Sequence, residues 1–567
     1  MKPMPRVCIM RRFLVWPSQL IWVFNLPFIA VYRTLHEKID SLPESQWKLS
    51  RLRFFIIVCL CQFVYYWFPG YIMPVLSAFS WMCMIKPNNI LLSQITGLSG
   101  LSVGSFQFDW NSITTSGGAP FGSPIIVPRW AIVNIFVGFV ISVWIVIPIG
   151  YYSNSLDAKL FPINDNNYYT KNGSNFYNFS TVIDQDIHFN LTAYNISGPI
   201  RMTISHAISY GLAFACVSSV IVHTFLYHGK DIIQQFHTSL ANREHDIHCT
   251  LMAKYPEAPE WWYLILFIIN FVLAIIACYI GKFMPWYYLF LIILLLFIFI
   301  LPIGIVAANT NQTIPIYVLS EFVAGAIMHG NLIAAATFRT YSFNTLFQAV
   351  TFINYLKLSH YMKIPPRTIF IAQVVGTCVS AIVSYSITDH FLNTVHNMCT
   401  TNGDWTCVQT ISFYNKSIWT IIGLNTMFGK TGIYRNILWC FLLGAVLPIP
   451  FWLLSKKYPY VKWLNYVHIP VMLSAVSQLP YIPPGNILSW VLVGFIFKVV
   501  IRKWWLDRYA LLFSAAMDAG VGICIIFIYF ILTNKNILFP KWWGLGGIYT
   551  DGCPLSHKNY YGYIPSS

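Results

Sequence analysis

The chain has 567 residues, of which 57% are hydrophobic, 17% aromatic and only 10% charged. Soluble globular domains carry about a quarter charged residues, so the composition excludes an ordinary soluble globule. The formal charge of +16 lies mainly in short stretches between apolar runs, such as Arg33, Lys38, Lys48, Arg51 and Arg53, then Arg502, Lys503 and Arg508. Charge so placed fixes membrane topology and argues against a nucleic-acid partner, for which no basic stripe or reader motif is present.

Leu20 to Val31 follows a basic start, but Pro27 interrupts it, Pro17 precedes it and no small-residue cleavage site follows, so it does not read as a signal peptide. Nine later runs read as spanning helices: Phe54–Phe68, Ala131–Ile149, Met202–Tyr227, Trp262–Ile280, Tyr287–Ala308, Thr368–Thr388, Ile437–Leu454, Ile487–Ile501 and Tyr509–Leu532. Four more, Tyr71–Ile85, Ile316–Ile333, Phe343–Leu356 and Tyr466–Leu479, are short or interrupted by polar residues, Pro or Gly. Broken segments at membrane depth are tolerated only against protein or a water-filled cavity, and in transporters they often build the substrate site. The fold class expected is an all-α polytopic bundle of about 11–13 spanning or re-entrant segments over residues 1–535, with a polar, aromatic tail over 536–567.

Two features orient this bundle. The polar loop 152–198 carries four acceptor sequons, at Asn172, Asn178, Asn190 and Asn195, which imply an extracytoplasmic loop. The loop 228–260 then falls on the cytoplasmic side. Further on, Arg339, Lys357, Lys363 and Arg367 occur with no acid between Glu321 and Asp389, a positive-inside signal. Within it, Lys363-Ile364-Pro365-Pro366-Arg367 forms a basic hinge whose prolines start the charge-free run to Thr388. Cys399, Cys407 and the sequon at Asn415 then fall outside, where the two cysteines could pair. Counting through two spans places the sequon at Asn311 inside, as a chance match, and leaves the side of the C-terminus open.

Catalytic signatures are not found. Phe428-Gly429-Lys430-Thr431 resembles the end of a phosphate loop, but Gly423 is one residue too far away. His245 and His248 share a helical spacing without further ligands, so no metal site is expected. There is no nucleophile elbow, zincin helix or paired-carboxylate site, and no enzyme is expected. Ionisable groups within apolar sequence matter more: Asp109, Glu321 and Asp518 are candidates for proton coupling, because a buried carboxylate is costly and faces a cavity, a partner or a transport path. A purely structural ion pair or hydrogen bond is the alternative for each. His206, His329 and Asn331 are candidates along a substrate path.

These motifs together resemble the oligopeptide transporter family, most closely its plant-type members. The resemblance rests on Lys363–Arg367, Trp16-Pro17-Ser18 with Arg33–Glu37, Pro69-Gly70-Tyr71 with Phe79-Ser80-Trp81, and Phe108-Asp109-Trp110. It continues through Tyr227–Asp231, Asn397–Cys399 with Trp405–Cys407, Ser514–Gly520, Trp542–Gly544 and Cys553–Leu555. It implies a carrier importing small peptides or peptide-like compounds, glutathione and metal chelates among them, by symport with protons and with no cofactor beyond the proton. Family members begin with several helices carrying an Asn-Pro-Gly signature that this chain lacks, so the sequence reads as a member short of its N-terminal helices. A channel, or a non-transporting scaffold, is the competing reading. The plasma membrane is the expected location, with an endomembrane as the alternative, and Lys363, Pro365, Pro366 and Arg367 are expected to serve as cytoplasmic scaffold.

Overall fold

The computed structural model describes residues 9–36, 49–114, 122–173, 176–184, 188–237, 247–252, 254–328, 330–395, 422–430, 432–501, 503–535, 537–546 and 551–553. The helices that matter here are α1 (Ile9–Leu14), α2 (Asn25–His36), α3 (Arg51–Trp67), α4 (Trp110–Thr114), α5 (Arg129–Tyr152) and α6 (Ile204–His237). They continue with α7 (Glu260–Ile280), α8 (Tyr288–Thr310), α9 (Ile316–Ile327), α10 (Leu332–Met362) and α11 (Pro366–Thr394). Last come α12 (Arg435–Lys457), α13 (Ile469–Val476), α14 (Pro484–Phe495) and α15 (Lys503–Ile531). Sheet structure among the described residues is one two-stranded antiparallel pair, Tyr168–Tyr169 with Arg201–Met202.

Eight helices among the described residues are long and apolar enough to cross a membrane, and they coincide with eight of the nine expected runs. The ninth, Ile487–Ile501, lies in the shorter apolar stretch Pro484–Val500. The interrupted runs divide. Ile316–Ile333 and Tyr466–Leu479 hold the short helices α9 and α13. Phe343–Leu356 is uninterrupted inside the 31-residue α10. Tyr71–Ile85 breaks into short turns.

Burial sorts these helices by position. In α6, 67% of the most apolar window is buried, so this helix is the centre of the bundle, whereas α11 buries none of its window and lies at the bundle's edge among the described residues. Close approach around the centre depends on glycine. A Cβ at Gly444 of α12 would strike the Ala215 carbonyl of α6, and one at Gly138 of α5 would strike the Met472 carbonyl of α13.

The two ends of the bundle are distinct. At one end the sequon-bearing loop packs on the segments that follow α3. Asn164 N donates to Ser99 O (3.1 Å), and Leu98 N to the carboxylate of Asp551 (3.0 Å). Cys83 and Cys553 form a disulfide beside these contacts. Met202 N donates to the Tyr434 hydroxyl (2.7 Å). Burial pushes that phenol and Tyr177 up to about 12 from a usual 10. Both stay protonated in the folded and unfolded chain below pH 10, so their contribution is complete there and fades only as pH rises toward 12.

At the other end, Lys363 closes α10 in a left-handed conformation (φ 60°) and Pro366 opens α11. Lys363 Nζ donates to His248 Nδ1 (2.8 Å), His248 O (3.3 Å) and His360 O (2.9 Å), while Arg367 Nε donates to Glu257 O (3.2 Å). The hinge therefore clamps the loop that precedes α7. The sequons and the hinge mark opposite ends, and residues 551–553 share the sequon end, which sequence parity had left open.

Candidate functional site

Two helix breaks meet inside the bundle. In the first, α8 runs from the sequon end and stops at Thr310, and Asn311 caps it in a left-handed conformation (φ 57°). Residues 311–315 form an irregular turn, and α9 runs back toward the sequon end, where Phe189 N donates to Gly330 O (3.1 Å). The pairs Ser342–Ser320 and Arg339–Glu321 set the start of α9 roughly half-way along α10. In the second break, α13 starts from the hinge end, where Asn134 of α5 holds Tyr466 O (2.7 Å) and His468 N (2.8 Å). Residues 477–483 then turn, and α14 returns to the hinge end, where the Arg129 guanidinium donates to Lys498 O. Two hairpins entering from opposite faces thus touch at their tips: Gln478 Nε2 donates to Thr313 Oγ1 (3.3 Å). This is the arrangement in which opposed repeats place a binding site near the bilayer centre.

A cavity of ≈ 620 Å³ lies where the tips meet, with Gln312, Thr313, Tyr317, Arg339, Gln478 and Tyr481 among its polar walls. Pocket volumes of about 300–1,000 Å³ hold small-molecule ligands. Arg339 Nε lies 2.8 Å from Glu321 Oε1, with the glutamate fully buried and the arginine 8% exposed toward the cavity. Ala307 near the end of α8 and Ile316 and Tyr317 at the start of α9 also line the cavity, so both helix ends border it together with one fixed cation, Arg339.

The sequence-predicted residues occupy different settings. Glu321 stands behind the cavity wall through Arg339. His206 is fully buried and does not line the cavity; its Nε2 meets the Tyr481 hydroxyl at 3.3 Å, and its ring stacks on Tyr210 at 5.1 Å. Asp109 caps α4. It accepts from Asn111 N (3.0 Å), Ser112 Oγ (2.7 Å) and Ser77 Oγ (3.1 Å), three donors that hold a carboxylate in a structural role. Asp518 of α15 accepts from Trp110 Nε1 (2.7 Å) and opens into a second cavity of ≈ 550 Å³ lined by Phe24, Phe28, Tyr32 and Phe55. Asn331 caps α10 by accepting from Ala334 N (3.0 Å), far from the breaks.

Asn172, Asn178 and Asn195 are exposed, whereas Asn190 is half-buried, accepts from Ala193 N and donates to Asp184 Oδ1. His329, Asn415, Cys399 and Cys407 lie outside the described residues. Arg339 and Lys357 change meaning. Neither is inner-face topology charge: Arg339 belongs to the cavity, and Lys357 is buried and donates to Val15 O (2.7 Å) and Pro17 O (3.1 Å). Asn311 sits in the helix break rather than in an inner loop. The Cys83–Cys553 disulfide was not anticipated, because a separation of 470 residues leaves no local signal. Gln312 and Gln478 were missed as well, since amides in apolar sequence carry no distinctive spacing.

The profile described as OPT oligopeptide transporter protein matches residues 6–532. The chain belongs to the OPT oligopeptide transporter family. It is 37% identical over 559 residues to oligopeptide transporter 7 of Arabidopsis thaliana, covering 97% of this chain and 71% of that protein. It is 38% identical over 570 residues to oligopeptide transporter 1 of the same plant, covering 97% and 74% respectively. OPT membership makes it an integral, multi-pass membrane transporter and not an enzyme.

Proposed function

We propose that this chain carries small peptides or peptide-like compounds across the plasma membrane together with protons, through the cavity at the two helix breaks. Support for the cargo comes from the family and from relatives named as oligopeptide transporters. Support for the coupling comes from one observation, the buried Glu321–Arg339 pair on the cavity wall.

Breaking a buried ion pair by removing one partner costs about 3–5 kcal/mol. Protonating Glu321 alone strands the Arg339 cation, and a cargo carboxylate alone sets two anions against one cation. When a proton and a carboxylate arrive together, Glu321 is neutral and Arg339 holds the cargo, so charge balances. The same pair closes again when both leave. Asp518, in its separate cavity, is the second candidate for a proton site in this reading, and Asp109 is assigned to structure. His206 acts by holding Tyr481. Asn172, Asn178 and Asn195 are the exposed glycan acceptors that the orientation offers, and Lys363, Pro365, Pro366 and Arg367 serve as inner scaffold.

The test is uptake of labelled tetraalanine by the full chain in a host lacking peptide transport, at acidic and neutral pH and with a protonophore. Saturable uptake that rises in acid and collapses with the protonophore is expected. Uptake that is linear with concentration and indifferent to the proton gradient would favour a channel, and none at all would favour a scaffold.

A further inference from the structure

We propose that Gln312 and Gln478, one from each helix break, form an amide clamp that reads the backbone of the carried peptide. This rests on the peptide-transport reading above and adds how cargo is chosen. Gln312 is 2% exposed and is among the residues that line the cavity, and its Nε2, enclosed by protein in this state, finds no hydrogen-bond partner among the described residues. Its backbone N–H donates to Thr310 Oγ1 (3.2 Å), which fixes the chain at the break and leaves the side chain to turn toward the cavity when cargo enters.

A buried amide donor left without an acceptor is unfavourable, and the helix ends nearby do not relieve it. The acceptor that fits this place is a planar carbonyl arriving in the cavity. Gln478 supplies the opposite half. Its Nε2 rests on Thr313 Oγ1 at 3.3 Å, a neutral, long contact that ties one hairpin tip to the other. A peptide group between the tips offers its C=O to Gln312 Nε2 and its N–H to the carbonyl oxygen of Gln478. The cargo thus adds two bonds, and because the Gln478 oxygen makes the second, the Nε2 contact to Thr313 can stay in place. A primary amide matches a peptide bond in both donor and acceptor, so the clamp recognises what all peptides share and ignores their side chains. Of the remaining walls, Ile303, Phe343 and Leu346 are apolar, while Thr340, Asn344 and Thr351 add neutral polar groups.

In this arrangement Arg339 holds the carboxylate end and the glutamines hold the chain behind it. A solute with a carboxylate but no peptide bond would satisfy only the first. The clamp also joins the two hairpins through the cargo, which makes cargo part of the contact between the opposed halves.

The experiment compares uptake of tetraalanine by the wild-type chain and by Gln312→Met and Gln478→Met, near-isosteric changes that remove the amide. Removing one hydrogen bond to cargo is expected to raise KM about tenfold while the maximal rate per surface transporter changes little. A tetraalanine analogue with one amide replaced by an ester, which removes the N–H donated to Gln478, should compete about tenfold less well at the wild type, lose no further ground at Gln478→Met and still lose ground at Gln312→Met. Unchanged KM in both variants, or a reduced maximal rate with unchanged KM, would overturn the clamp while leaving peptide transport standing. If the variants do not reach the surface, equal competition by the ester and the amide at the wild-type chain overturns it. Absence of tetraalanine uptake by the wild type would overturn the transport reading and the clamp together.

Discussion

The cavity at the helix breaks and the cavity beside Trp110 are of similar size, ≈ 620 and ≈ 550 Å³, and each is associated with one carboxylate. Their chemistry differs. Glu321 is fully buried on the short helix α9 and meets a cation, Arg339, that itself faces the cavity. Asp518 lies within the long continuous helix α15, meets an indole N–H, and looks into aromatic walls. An anion held by a cation cannot change its charge without stranding its partner. An anion held by an N–H group can do so alone. Under the proposed function the first arrangement would couple two ligands and the second would not, so a carboxylate in a bilayer is not by itself a transport signal. Asp109, satisfied as a helix cap, makes the same point from the structural side.

The comparison breaks most directly at Arg339. Arg339→Met leaves Glu321 buried without its cation, at about 3–5 kcal/mol, and uptake should fall at least about a hundredfold. The double variant Arg339→Met with Glu321→Gln should restore surface level, measured by surface biotinylation, but not concentrative uptake. Recovery of concentrative uptake in the double variant would remove the pair from the mechanism.

Asp518→Asn should have a smaller effect. It weakens one charge-assisted bond from Trp110, so uptake should fall about tenfold or less and still depend on the proton gradient. Loss of that dependence in Asp518→Asn, with its retention in Glu321→Gln, would exchange the roles of the two cavities. The smallest effect is expected at the outer end. Cys83→Ser frees the segment at Cys553 and should lower the thermal midpoint by a few degrees without altering KM, because the disulfide touches neither cavity. A changed KM would place that segment in the transport cycle.

How much of this was legible beforehand follows the same physics. The charge-free run from Thr368 announces a spanning helix because every position tolerates lipid, and α11 accordingly buries nothing in its window. The site lies instead in runs with mixed signals, 311–333 and 466–483, where polar residues and prolines are tolerated because protein surrounds them. Glu321 was legible as an ionisable group in apolar sequence. Arg339 was misread, because a positive residue upstream of Lys363 looks like topology charge until the α9–α10 hairpin brings it against Glu321. Its position 18 residues away on a separate helix is information that only the fold supplies. The hinge at Lys363–Arg367 was legible as a helix start, since its prolines fix the local backbone and α11 opens at Pro366.

The central claim is that Glu321 and Arg339 bind proton and cargo as one event. It is tested most directly by counterflow of labelled tetraalanine through Glu321→Gln reconstituted in vesicles, with the internal peptide held in excess and pH varied. The account predicts exchange that continues at a rate independent of pH, with gradient-driven accumulation lost. Accumulation still driven by the proton gradient in Glu321→Gln would contradict it.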